Sequence, residues 1–119
     1  MGTEDLLSRR CEACEAGTLP IDETRAAELQ EHLDPSWSRE ANRSIERTFR
    51  FRNFLDPFGL ATRIALVAES EGHHPDFEIA WGRLRVFLTT HAAKGLTDND
   101  FIMAAKIDQV AAGTGIRES

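Results

Sequence analysis

The spacing of apolar and polar positions changes repeatedly along the chain, and each change marks an element. From Pro20 to Leu33, Ala26, Leu29 and Leu33 recur at helical spacing and Pro20 suits a first turn, so a helix is predicted there. Asp34-Pro35-Ser36 breaks it, because the residue before a proline is pushed out of helical geometry. Trp37 opens a short strand and Ala41-Asn42-Arg43 turns the chain. Ile45, Phe49 and Phe51 then alternate with Glu46, Thr48, Arg50 and Arg52. This period of two predicts a strand over Ser44 to Arg52 with one buried face, interrupted by Arg47, and a hairpin with the preceding strand. Asp56-Pro57 reads as the cap and first position of the most apolar helix, which carries Leu60, Ile64, Leu66 and Val67 and stops at Gly72. In a second hairpin Phe77, Ile79 and Trp81 alternate with Glu78 and Ala80, and Gly82-Arg83 turns. Leu84, Val86 and Leu88 line the inner face of its return strand. After Gly95 a third helix starts at Thr97, with Asp100 in capping-box position, and runs through Met103, Ile107 and Val110 to a stop at Gly113.

The order helix, two strands, helix, two strands, helix predicts an α+β fold. It is a two-layer sandwich with a four-stranded antiparallel sheet and three helices on one face. Residues 1–19 are expected to form an N-terminal arm, residues 20–113 the domain and residues 114–119 a tail. The 119 residues suffice for one domain, and bare sheet edges at this size favour a homodimer or homotetramer. A net charge of −6 disfavours phosphate-backbone binding, so nucleic acid is not expected as a partner. The longest apolar run, Ile64 to Ala68, is too short to span a bilayer. Glu4 and Asp5 replace the basic, apolar start of a signal peptide, and Leu6 stands where a myristoylated Gly2 would want Ser or Thr. A cytoplasmic protein is expected.

Histidine is the residue that draws attention, because it gives and takes protons near neutrality. His73, His74 and His91 lie in or beside the second hairpin, whose outer ends meet, so the three rings are expected at one end of the sheet. His32, among Glu28, Glu31 and Asp34, reads as a surface residue. Paired histidines at a helix exit also serve as C-terminal caps, and spacing alone leaves both readings open. Zinc is the weaker functional option, since neighbours in an extended segment point to opposite sides; no metal is expected. Cys11 and Cys14 form one C-x-x-C without a second pair or a βαβ context, and read as reduced thiols in a turn, with a metal or redox role as the minor alternative. Asp100 has an ordinary explanation as a helix cap, Glu69 as a solvated residue, and Trp37 and Trp81 as core or interface anchors.

Taken together, Glu69 to Pro75 with its His73-His74-Pro75, then Trp81, His91 and Asp100 resembles the pattern of the pterin-4a-carbinolamine dehydratases. The likeness continues through Trp37, the Thr48 to Phe51 strand, Phe58-Gly59, Thr89-Thr90-His91 and Gly95-Leu96, and so spans roughly Pro20 to Ala112. The resemblance implies a hydro-lyase that dehydrates 4a-hydroxytetrahydrobiopterin to the quinonoid dihydropterin during tetrahydropterin recycling, without a cofactor. By the same resemblance His73 and His91 are the acid–base pair, His74 binds and orients the pterin, and Pro75 stiffens the segment. Glu69 and Asp100 orient imidazoles or shape the pocket, and Trp37 stands at the pocket edge. Gly72 stands where some relatives carry an acidic residue, and Cys11 and Cys14 lie outside the likeness. A different class of function is open on the same fold: a non-catalytic binding, assembly or dimerisation-cofactor protein.

Overall fold

The computed structural model describes residues 3–112. Helix α1 (Thr3–Ser8) and helix α2 (Glu23–Gln30) precede strands β1 (Ser38–Glu40) and β2 (Ser44–Arg50). Helix α3 (Leu55–Glu71), strands β3 (Asp76–Ala80) and β4 (Arg83–Leu88), a 3-10 turn (His91–Ala93) and helix α4 (Asp98–Ala111) follow. The strands form one antiparallel sheet in the order β1-β2-β4-β3. This is the expected α+β architecture, with α1 added from the arm. Gly2, Gly113 and the tail 114–119 lie outside the described residues.

Alternation along the strands decides which sheet face is covered. Ile45, Arg47 and Phe49 of β2 lie opposite Leu88, Val86 and Leu84 of β4, and all six are buried. Against them pack Leu60, Ile64 and Ala68 of α3, Phe101, Ile102, Ala105 and Ile107 of α4, and Ala26 and Leu29 of α2. The other face is polar. Arg85 bonds Glu46 across β2 at 2.7 Å and Glu78 across β3 at 3.0 Å, and lies over the Phe87 ring at 4.2 Å. Arg47, the residue that interrupts the apolar pattern, is tolerated inside because Asp108 accepts from its Nη1 at 2.6 Å and its guanidinium covers Phe49 at 4.3 Å.

Element ends differ from the sequence expectation where side chains cap. Helix α2 starts behind Asp22, whose carboxylate accepts from the Arg25 N–H at 2.8 Å, so Pro20 falls before the helix. Pro20 and Ile21 instead run beside the β4–α4 loop, where Ile21 N–H donates to the Leu96 carbonyl. Asp56 is not the cap of α3. Asn53 accepts from the Asp56 N–H at 2.7 Å, which starts the helix at Leu55 and leaves Asp56 and Pro57 in its first turn. The second hairpin turns at Trp81-Gly82 rather than Gly82-Arg83: Gly82 has φ +70° and a Cβ there would lie 2.9 Å from the Phe51 carbonyl oxygen. Trp81 therefore leaves the strand and stands exposed. The Thr97–Asp100 capping box forms as expected.

Candidate active site

Gly72 ends α3 in the left-handed region at φ +68°, and His73 N–H closes the end by donating to the Ala68 carbonyl. Within four residues the chain has entered β3. Because Asp76 pairs with Phe87, residues before β3 and after β4 emerge at one end of the sheet. There Thr90 and Gly95 exchange backbone hydrogen bonds at 3.0 and 3.3 Å, pinching off the short loop that carries His91. The result is an open cleft of about 330 Å³ lined by Gly72, His73, His74, Pro75, Asp76, Thr89, Thr90, His91 and Ala92, with Glu12, Cys14 and Asn99 on the remaining wall. That volume suits a small-molecule ligand.

The histidines differ in support. His73 is mostly buried, and its Nε2 meets Asp100 Oδ1 at 2.6 Å. Asp100 is completely buried; its other oxygen accepts from Thr90 Oγ1 at 2.7 Å and from the Thr97 N–H at 2.9 Å, and Thr97 Oγ1 lies 2.8 Å from Thr90 Oγ1. A carboxylate can only accept, so Nε2 of His73 carries the proton in this pair and Nδ1 is left as its basic nitrogen. His74 is exposed and meets Glu69 Oε1 at 2.9 Å, a pair open to solvent on both sides. His91 is exposed on its loop. Burial and a carboxylate that Thr90 and Thr97 hold in place fix one imidazole, whereas the other two are exposed and can adjust to a ligand.

Four of the residues singled out in the sequence line the cleft together: His73, His74, His91 and Pro75. Asp100 stands behind His73, and Glu69 stands behind His74, outside the lining. Trp37, expected at the pocket edge, is not part of the cleft lining. It is 3% exposed and packs away from the cleft, because a buried indole N–H needs an acceptor and Asp108 offers one at 2.8 Å. Asp108 is about two helical turns along α4 from Asp100, so this chain does not present Trp37 at the pocket edge. Burial pushes the Asp108 carboxyl above its ordinary range, despite the Trp37 and Asp34 N–H groups and Arg47. Trp81 lies at the far end of the hairpin. Sequence reasoning missed Thr90, Asn99 and the arm residues Glu12 and Cys14. A Thr in a Thr-Thr-His run carried a usable hint; Glu12 carried none, since its neighbours in space are almost ninety positions away.

Cys11 and Cys14 are free thiols. Burial first, and the Glu71 carboxylate second, push the Cys11 thiol up to about 12. Among the described residues no group of three or more His, Cys, Asp or Glu side chains is placed to hold a metal ion, and no helix is long and apolar enough to cross a membrane.

A two-layer α+β fold with a His–Asp pair at a small cleft is an arrangement that can hold and move a proton. The chain belongs to the pterin 4 alpha carbinolamine dehydratase family, whose model matches residues 20–110. A Methylococcus capsulatus protein named "Putative pterin-4-alpha-carbinolamine dehydratase" is 43% identical over 108 residues, covering 90% of this chain and 94% of its own. A Chloroflexus aggregans protein of the same name is 50% identical over 86 residues, 71% of this chain and 92% of its own. Among solved structures, the transcriptional coactivator/pterin dehydratase from Brucella melitensis superposes with a TM-score of 0.72 at 35% identity, covering 78% of this chain and 99% of that one.

Proposed function

We propose that this protein dehydrates 4a-hydroxytetrahydrobiopterin, or a close tetrahydropterin analogue, to the quinonoid dihydropterin in tetrahydropterin recycling. The observation that carries the reading is the convergence of His73, His74 and His91 on one cleft, with His73 fixed by a buried carboxylate. Elimination requires a proton delivered to the departing 4a-hydroxyl and a proton withdrawn from the adjacent ring nitrogen. His73 and His91 divide these tasks. His73 is suited to be the base, because Asp100 orders its Nε2–H and stabilises the imidazolium that forms when Nδ1 takes the ring-nitrogen proton. His91, which lines the same cleft, then protonates the leaving hydroxyl. His74 binds and orients the ring, supported by Glu69, and Pro75 limits movement of the segment.

Purified protein with chelator present should accelerate dehydration of the 4a-hydroxytetrahydropterin followed by absorbance. A rate equal to buffer would refute the proposal. The other reading, a binding or dimerisation-cofactor protein, is favoured by the exposed apolar residues Leu55, Phe58 and Leu66 on α3, Phe54 just before it, and Trp81. It draws further on the name of the Brucella relative, a transcriptional coactivator/pterin dehydratase. The same residues support self-association as a dimer or tetramer, and the two roles are compatible. A cytoplasmic setting belongs to the proposal as well.

A further inference from the structure

The N-terminal arm is fastened beside the two residues on which the proposed chemistry depends. Cys11 N–H donates to Glu71 Oε1 at 2.8 Å, two residues before His73, and Arg10 Nη2 donates to the Ser70 carbonyl at 3.2 Å. Glu12 N–H donates to Asn99 Oδ1 at 2.9 Å while Asn99 Nδ2 donates to the Glu12 carbonyl at 2.6 Å, next to Asp100. Asn99 is 6% exposed, and the Glu71 side chain is equally buried and is gripped by Lys106 at 2.9 Å. Burial alone would raise the Glu71 carboxyl, but Lys106 and the Cys11 N–H overcome it and hold it below its ordinary range. Position 12 is therefore fixed through its backbone on both sides, by side chains that belong to the domain.

The clamp leaves the Glu12 side chain unused. Glu12 is exposed and belongs to the lining of the cleft that holds the histidine segment, and its carboxylate takes no hydrogen bond or ion pair from any described residue. Glu69 and Asp100, by contrast, are already engaged by His74 and His73. A bound pterin has two chemically different ends. The reacting carbon and nitrogen need proton carriers, which the histidines supply. The aminopyrimidine end displays an adjacent ring N–H and an amino group, a pair of parallel donors that one carboxylate accepts in fork geometry.

We propose that Glu12 is a specificity-determining residue that accepts from this donor pair and so selects a 2-amino pyrimidine ring. The inference rests on the pterin reading above and adds a substrate contact from an arm outside the matched family region of residues 20–110. Because only its backbone supports the arm, Glu12→Gln keeps the clamp.

The test combines steady-state dehydration with direct binding of 6-methyl-7,8-dihydropterin and its 2-oxo counterpart, a dihydrolumazine. Wild type should prefer the dihydropterin by about tenfold or more, since a site built to accept from an amino group rejects an oxo group. Glu12→Gln and Glu12→Ala should raise KM about tenfold, change kcat less than about threefold and erase the preference, at an unchanged thermal midpoint. Glu15→Gln, which alters charge on the same arm away from the cleft, should behave as wild type. Wild-type KM and undiminished preference in both Glu12 variants would overturn the inference while leaving the dehydratase reading standing. A wild-type protein that neither dehydrates nor binds the dihydropterin would overturn both.

Discussion

The sharpest test of the histidine assignment is replacement of Asp100 by asparagine. Asp100 is completely buried and receives three donors: His73 Nε2, Thr90 Oγ1 and the Thr97 N–H. Alanine would leave all three without an acceptor. At about 1–3 kcal/mol for each stranded donor the loss sums to roughly 3–9 kcal/mol, comparable with the whole stability of a small domain. Asparagine keeps the volume and one acceptor. Its oxygen can serve Thr90 and Thr97, which turns its amide toward His73. An amide donates, so His73 must accept at Nε2 and carry its proton on Nδ1, the reverse of the native tautomer. The nitrogen meant to take the substrate proton is then already occupied. The stability cost is one charge-assisted bond exchanged for a neutral one, about 1–2 kcal/mol, or on the order of 4–12 °C in melting temperature. The rate cost should be far larger, about 10²–10⁴-fold in kcat, the usual scale of a lost acid–base contribution. Dehydration kinetics, thermal unfolding and nitrogen-15 spectra of the His73 ring would be measured together. A folded Asp100→Asn protein with wild-type kcat, or with an unchanged His73 tautomer, would refute the reasoning.

His73→Ala and His91→Ala should each lower kcat about 10²–10⁴-fold with an unchanged circular dichroism spectrum; unaltered rates in both would remove the acid–base roles. Cys11 should be alkylated by iodoacetamide at pH 8 at least about tenfold more slowly than Cys14, because burial and Glu71 hold its thiol protonated; peptide mass spectrometry settles the order. Glu71 has a depressed carboxyl, so its stabilising contribution is present above the ordinary glutamate value of 4.5 and is lost as pH falls through its lower folded value. The difference in melting temperature between wild type and Glu71→Gln should accordingly be largest near neutral pH and shrink below that value, and a gap that widened in acid would contradict the sign. Phe58→Glu, placed among the exposed apolar residues of α3, should lower the mass measured by sedimentation; a wild type already monomeric would dispose of self-association.

Local chemistry was enough to write most of this fold from the sequence. The two-residue alternation of Ile45 to Phe51 and Leu84 to Leu88 determined which faces are buried, because a pleated strand leaves no other choice. Gly72 determined where α3 ends, and Thr97 with Asp100 determined where α4 begins, since caps act within one helical turn. The histidine run was equally legible as a candidate site. What local spacing could not decide is which polar groups meet across the fold. Asp100 reads as a helix cap and is one, yet its second oxygen reaches His73, twenty-seven positions earlier, only because α4 starts against the end of α3. Trp37 looks available for a ligand until packing buries it against Asp108. Glu12 acquires a place at the cleft only through Asn99 and Glu71, which clamp an arm with no periodic pattern of its own. Spacing along a chain encodes contacts within a turn or a hairpin, whereas a catalytic cleft is assembled from chain ends and loops whose meeting depends on the packing of the whole domain.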